Sequence, residues 1–265
     1  MGTYTISTTN DNRTKDGRQM QDYDHNLREE RAVESANQYD IANGRERHID
    51  TSRSHLNEYI RTETVEQAYE RILGPAIEEY NAKQKRKDRY TSVEKEMQKI
   101  KDSINNKNPQ YLAYEMIVQI GDKNAHPDME LCNQIMHEFL EQWEQKYPNL
   151  DVFQAVIHND GSTPHMHLDY VPLAYNNSRG LSVQNGLRRA FEEMGFTNTT
   201  ITTTNEQGEQ IEVFDRVNGA KAQWISDCNQ MLEQICREHG LEIEHPLKGK
   251  KIPRMQMDEY KNIVK

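Results

Sequence analysis

The sequence predicts an α+β fold, a mostly antiparallel sheet flanked by helices with a long helical hairpin or arm against it. Three observations carry that prediction. Val152-Phe-Gln-Ala-Val-Ile157 is apolar and β-branched, Leu168-Asp-Tyr-Val-Pro172 follows, and His158-Asn-Asp-Gly-Ser-Thr-Pro-His165-Met-His167 lies between them. That is strand, loop, strand, with Asn159-Asp160-Gly161 as the turn signal and Pro164 ending the loop. Tyr111 to Ile120, from another part of the chain, alternates and is apolar enough for a central strand. Helical stripes separate the strands, the clearest being Leu131, Ile135, Phe139 and Trp143, which should cover the sheet.

Taken in order, Thr3 to Thr9 is a short β-prone run fit for an edge or first strand. A polar stretch leads to Tyr23-Asp-His25-Asn26-Leu-Arg28, and Asn43-Gly44 marks a turn. Ile49 to Asn57 is dense in hydrogen-bonding side chains, an exposed loop with a helix cap on its plainest reading. From Glu63 a helical period runs through Val65, Tyr69, Ile72 and Leu73, and Gly74-Pro75 is expected to break or kink it. Val93, Met97, Ile100 and Ile104 mark a second helix, so a hairpin or arm over about 62–106 is expected. Pro127 opens the stripe helix, and Ser182 to Met194 reads as a short amphipathic helix. Thr197 to Phe214 reads as a surface hairpin, Ala220 to His239 as a helix ended by Gly240, and Met257 to Lys265 as a final helix.

A chain of 265 residues buries a substantial core and is read as one domain over 1–265, with a natural chain that extends past Lys265 as a further expectation. Its net charge of −10 is not that of a general nucleic-acid binder, although Lys83 to Arg89 and Lys248 to Arg254 are locally basic. Three cysteines without metal spacing fit a reducing compartment, and no apolar run spans a bilayer, so a cytoplasmic location is expected. No Gly-rich phosphate loop or Ser/His/Asp signature is present.

Chemistry concentrates in the histidine hairpin. Side chains alternate along a strand, so His165 and His167 share a face and Met166 takes the other. His158, ending the partner strand, can lie opposite them, so three imidazoles can meet at one point. Neutral imidazole is the commonest protein ligand for a transition-metal ion. The bland alternative is a surface hairpin with solvated histidines, which suits a lone histidine better than three in this alternation. Without a nearby cysteine the site is no zinc finger, and three protein ligands leave positions open for substrate.

Three stretches together resemble one family. His158-x-Asp160-x-x-x-Pro164-His165-Met166-His167 is similar to the metal motif of MobV (Pre) type plasmid mobilisation and recombination relaxases, within the histidine-hydrophobic-histidine endonucleases. Ser52-Arg53-Ser54-His55-Leu56-Asn57 resembles that family's second motif and His25-Asn26-x-Arg28 its first. The helical segment Glu79 to Asp88 also looks familiar from its members, and the likeness spans nearly the whole chain in the family's order.

The resemblance implies a five-stranded antiparallel sheet and an enzyme that nicks one strand of plasmid DNA at an origin of transfer. It implies a covalent 5′-phosphate adduct, later rejoining of the ends, and a role in conjugative mobilisation. Metal ligands map to His158, His165 and His167, and the nucleophile to His25, with Tyr23 and the more distant Tyr39 as tyrosine competitors. Arg28 and Asp160 complete the implied catalytic set, Arg28 as a phosphate clamp. Asn26, Arg53, Ser54, His55 and Asn57 are implied DNA contacts. Manganese is the implied cofactor, with Mg²⁺, Zn²⁺, Ni²⁺ and Co²⁺ as alternatives. Implied partners are origin DNA as duplex hairpin and single strand, a conjugative coupling protein, and a second copy joined through a longer C-terminal region. One departure stands out: where the family carries an acid after the aspartate, this chain has Gly161, and Asp160, Glu29 or Glu30 would have to serve instead. An origin-binding protein of the same fold with little or no nicking, and an unrelated small-molecule metal hydrolase, are the competing readings.

Overall fold

The computed structural model describes residues 3–9, 23–44, 49–106, 109–175, 177–205, 207–215 and 218–245. The elements are β1 (Thr3–Tyr4), β2 (Ile6–Thr9), α1 (Tyr23–Asn26), α2 (Glu30–Ala42), β3 (Glu58–Thr62), α3 (Val65–Ala82), α4 (Val93–Asp102), β4 (Tyr114–Ile120), α5 (Met129–Lys146), β5 (Leu150–His158), β6 (His165–Ala174), β7 (Gln184–Asn185), α6 (Leu187–Glu193), β8 (Thr200–Thr204), β9 (Gln210–Phe214), α7 (Ala220–Glu238) and β10 (Glu242–Ile243), with short 3-10 turns between several of them. The main sheet has the order β2-β4-β6-β5-β3, with β7 added at the end of β6. Every pairing in it is antiparallel, and β6 is the middle strand. The α+β class, the antiparallel sheet and the histidine hairpin are as the sequence predicts.

Alternation along β6 divides the molecule. Met166, Leu168 and Tyr170 join Met116, Val118, Ile120, Ala155 and Ile157 on one face, all fully buried. The stripe on α5 (Ile135, Phe139, Trp143) and that on α7 (Trp224, Leu232, Ile235) close over them. A cluster of this size outweighs individual helix propensities, since packing of the apolar face supplies most helical stability. The opposite face carries His165, His167 and Asp169 at one end, then Val171 and Leu173 at the other. There the α3–α4 hairpin covers it through Tyr69, Leu73, Val93, Met97 and Ile100. The helical "arm" is thus packed on the sheet and leaves the other half of that face open for the histidines.

Several expectations change. α3 runs on through Pro75, with Leu73, Ala76 and Ile77 all buried around it, so burial of the stripe overrides the missing N–H. Only Leu187–Glu193 of the 182–194 stretch is helical, because Gln184 and Asn185 pair with β6 instead. The basic residues at 83–89 are exposed and partly paired, Lys83 with Glu79 and Arg86 with Asp88, which is a solvated face. The second basic stretch and the expected helix at 257–265 lie outside the described residues. Among the described residues no helix is long and apolar enough to cross a membrane.

Candidate metal centre

The hairpin register builds the centre. His158 faces His165 across β5 and β6, while Val156 faces His167. From the other side β4 sets Ile117 against His167 and Glu115 against Asp169. The ring centroids of His158 and His167 are 4.6 Å apart, and His165 lies 5.3 Å from the first and 5.0 Å from the second. α1 then brings His25 over the sheet, 6.0 Å from His158 and 6.1 Å from His167. One ligand atom each of His25, His158 and His167 lie within 4.8 Å of one another. His165 sits beside that trio rather than in it.

Hydrogen bonds fix the tautomers, and the tautomers decide what the site can hold. His158 Nε2 donates to the Asn26 carbonyl at 2.8 Å, so its Nδ1 carries the lone pair. His167 Nδ1 donates to Glu115 Oε1 at 2.6 Å, so its lone pair is on Nε2. Both remaining nitrogens, His158 Nδ1 and His167 Nε2, are buried without a hydrogen-bond partner. His165 Nδ1 donates to the Thr163 carbonyl at 2.8 Å, which again leaves Nε2 as the basic nitrogen. Burial of polar atoms without partners costs free energy, and convergent imidazole lone pairs are the donor set a divalent transition metal satisfies. The residues present fit such an ion.

The electrostatics agree. Burial first, then the neighbouring histidines and Arg28, push His158 well below the ordinary imidazole range. His165 and His167 are lowered by burial as well, so all three are neutral, as ligands must be. Beneath them Glu115 and Asp169 are pushed up by burial, Asp169 also by Glu115. Carboxylates hydrogen-bonded to ligand histidines orient the rings and raise their basicity.

The motif at 52–57 turns out to clasp the hairpin loop. It forms a 3-10 turn (Thr51–Leu56) capped by Asp50, whose carboxylate accepts from the Ser52 N–H. Asn57, nearly buried, accepts the N–H groups of Asn159 and Asp160 on Oδ1 and donates to Asp160 Oδ2. Ser54 Oγ donates to the same carboxylate at 2.8 Å, and Arg53 donates to the Asn159 carbonyl at 2.6 Å. His55 is exposed, its Nδ1 at 2.9 Å from the Ser52 carbonyl. Arg28 binds Asp160 through both arms, Nε to Oδ2 at 2.9 Å and Nη2 to Oδ1 at 2.6 Å, with both side chains buried. Its third nitrogen, Nη1, donates to His25 Nε2 at 3.0 Å. Burial alone would raise Asp160, but the bonds from Arg28, Asn57 and Ser54 hold it well below the usual carboxylate range. Arg28 also has a φ of +57°, an unfavourable region for a side-chain-bearing residue and one that recurs at functional sites.

Most of the residues singled out from sequence therefore converge around the hairpin. Arg28 clamps Asp160 and His25, Asn26 is buried against Glu115 and Asp169, and Asn57, Ser54 and Arg53 hold a loop. Glu29 and Glu30 are exposed at the start of α2. Glu115 and Asp169 were missed. The signal for Asp169 was present, since it continues the period of two from His165 and His167. Glu115 was a lone acid in an otherwise suitable strand, and only the strand order reveals what it faces.

The family model described as plasmid recombination enzyme, Mob_Pre, matches residues 37–194, more than half of the chain. No curated protein matches it. Among solved structures, the chain is similar to the Mn-bound MobM relaxase domain (MOBV; Mob_Pre) on plasmid pMV158 oriT DNA carrying a 3′ thiophosphate. Identity there is 19%, with 98% of this chain and all of that one covered, at a TM-score of 0.48. A second Mn-bound crystal structure of that domain on oriT DNA gives 16% identity, 98% and 99% coverage and a TM-score of 0.47. The matched span contains the loop clasp, β4 and the whole histidine hairpin, and on that match the chain belongs to the plasmid recombination enzyme family, Mob_Pre.

Proposed function

We propose that this protein is a plasmid relaxase, a metal-dependent enzyme that nicks one DNA strand at an origin of transfer and holds the 5′ phosphate on His25. The observation that carries the reading is His25 set against the His158–His167 pair with its Nε2 held by Arg28. An N–H from Arg28 requires a lone pair on that nitrogen, which is the form an attacking imidazole needs. In the proposed step the lone pair of His25 Nε2, released from Arg28, forms a bond to phosphorus as the bond to the 3′ oxygen breaks; the 3′ oxygen takes a proton from water and leaves as a hydroxyl, and the phosphorylated ring gives up its Nδ1 proton to solvent. Rejoining is the reverse, the 3′ hydroxyl displacing the imidazole. His158, His165 and His167 would hold the divalent ion, manganese by the family's example, which supplies charge stabilisation at the non-bridging phosphate oxygens. Arg28 and Asp160 keep His25 in line, and the clasp at 52–57 keeps the hairpin loop in place for it.

A nicking assay tests this on supercoiled plasmid carrying its own origin, with Mn²⁺ and trapping of the protein–DNA adduct. The expected result is cleavage by the natural protein and by Tyr23→Phe, and none by His25→Ala. Loss only in Tyr23→Phe would move the chain to tyrosine chemistry. Origin binding without cleavage under several metals would leave an origin-binding protein. One observation favours a second assignment within the site: the tightest set of donor atoms contains His25 rather than His165. If His25 is a ligand, His25→Ala weakens Mn²⁺ binding more than His165→Ala does; if it is the nucleophile, the order is reversed.

A further inference from the structure

We propose that Asn26 is the positioning residue that locks the His25 segment to the metal centre, and that its side chain makes no contact with DNA. The inference rests on the metal-dependent reading above. Asn26 is 2% exposed, out of reach of a nucleic acid. It ends α1, directly after His25, and bonds in three directions. Its amide donates one N–H to Glu115 Oε1 at 3.0 Å and the other to Asp169 Oδ2 at 2.9 Å. Its backbone carbonyl accepts His158 Nε2 at 2.8 Å. Glu115 Oε1 also accepts His167 Nδ1 at 2.6 Å.

One residue thus orients both imidazoles whose unpartnered nitrogens face the centre, His158 directly and His167 through Glu115. It also stands between the carboxylates of half-buried Glu115 and buried Asp169, which would otherwise confront each other. The residue type follows. Two N–H donors on one short planar group satisfy two carboxylates at once, whereas aspartate would add a third acid and alanine would leave both unheld. Because the carbonyl that sets the His158 tautomer belongs to the same residue, displacement of α1 disturbs both rings together. The nucleophile candidate and the metal ligands are therefore one mechanical unit.

The test is Mn²⁺ binding by the metal-free full chain, followed through the electron paramagnetic resonance signal of free Mn²⁺. Asn26→Ala keeps the carbonyl that His158 bonds but releases Glu115, and is expected to weaken binding by up to about 10- to 100-fold, the usual effect of disturbing an outer partner of a ligand histidine. Glu115→Gln should fall in the same range, and the double variant should be little worse than the weaker single, since Asn26 acts partly through Glu115. Affinity of the metal-free chain for single-stranded origin DNA, by fluorescence anisotropy, should not change. Natural affinity for Mn²⁺ in Asn26→Ala, full additivity in the double variant, or a loss confined to DNA binding would each overturn the proposal. If Asn26→Ala fails to fold by near-ultraviolet circular dichroism, Asn26→Ser keeps the carbonyl and one donor. It should bind Mn²⁺ more weakly than the natural chain, and equal affinity would count against Asn26. Absence of Mn²⁺ binding in the natural protein would instead sink the metal-dependent reading itself.

Discussion

At the scale of single residues, Asp160 shows why a motif position needs its contacts before its role is known. It reads from sequence as either a turn residue or a catalytic acid, and it is an anchor accepting from Arg28, Ser54 and Asn57. Arg28→Ala leaves that carboxylate buried without its counter-charge and should destabilise the fold by about 3–5 kcal/mol in urea unfolding. Arg28→Lys should recover only part, because an ammonium cannot reproduce the two-armed bond. A loss below about 1 kcal/mol, the size expected of a surface pair, would show the ion pair to be unimportant. Gly161 is a different case. A side chain built there meets the His165 ring and the Thr163 carbonyl, both at ordinary contact distance, so nothing steric demands glycine. Glu115, from β4, places its carboxylate on His167 Nδ1 at 2.6 Å.

Elements show which sequence signals survive folding. Thr64 closes a full capping box with Gln67 at the start of α3, and Thr64→Ala should cost about 0.5–2 kcal/mol, read as a lower urea midpoint. The β8–β9 hairpin stands apart from both hydrophobic clusters, with Thr200–Thr204 exposed throughout. Its ends are tied by a bond from the Asp215 N–H to the Thr199 carbonyl at 2.9 Å. Replacing 200–214 with a short turn should therefore leave the melting temperature nearly unchanged, and a large drop would mean that the hairpin supports the fold. The histidine hairpin, the α5 and α7 stripes and the β8–β9 turn were legible because local period and turn chemistry agree with the final structure. Pro75 and the 182–186 stretch were not, since distant partners decided them: the buried stripe of α3 in one case and the end of β6 in the other. The 52–57 motif was visible as a cluster of polar side chains, but its target, a loop about a hundred residues later, was not.

For the molecule as a whole, burial of the histidines makes stability depend on pH. The lowered values of His158, His165 and His167 mean that an unfolded chain takes up protons below 6.5 which the folded chain refuses. Their contribution is intact above 6.5 and is lost on acidification of the metal-free protein. Asp169 and Glu115, raised by burial, act with the opposite sign, since the folded chain keeps protons that the unfolded chain gives up above 3.8 and 4.5. The urea midpoint should fall as pH drops below 6.5, and Asp169→Asn should steepen the fall by removing an opposing contribution. A flat midpoint, or an unchanged slope in the variant, would contradict the burial argument. The bond from His158 to Asn26 carries one more consequence, for synthesis. It spans 132 residues, and β6 lies later still. While the chain is being made, the early histidine waits alone until the middle strand has left the ribosome and the sheet has closed around it. On the relaxase reading, a fragment released before that point carries the nucleophile without its metal centre, and a half-made copy of this protein leaves the plasmid uncut.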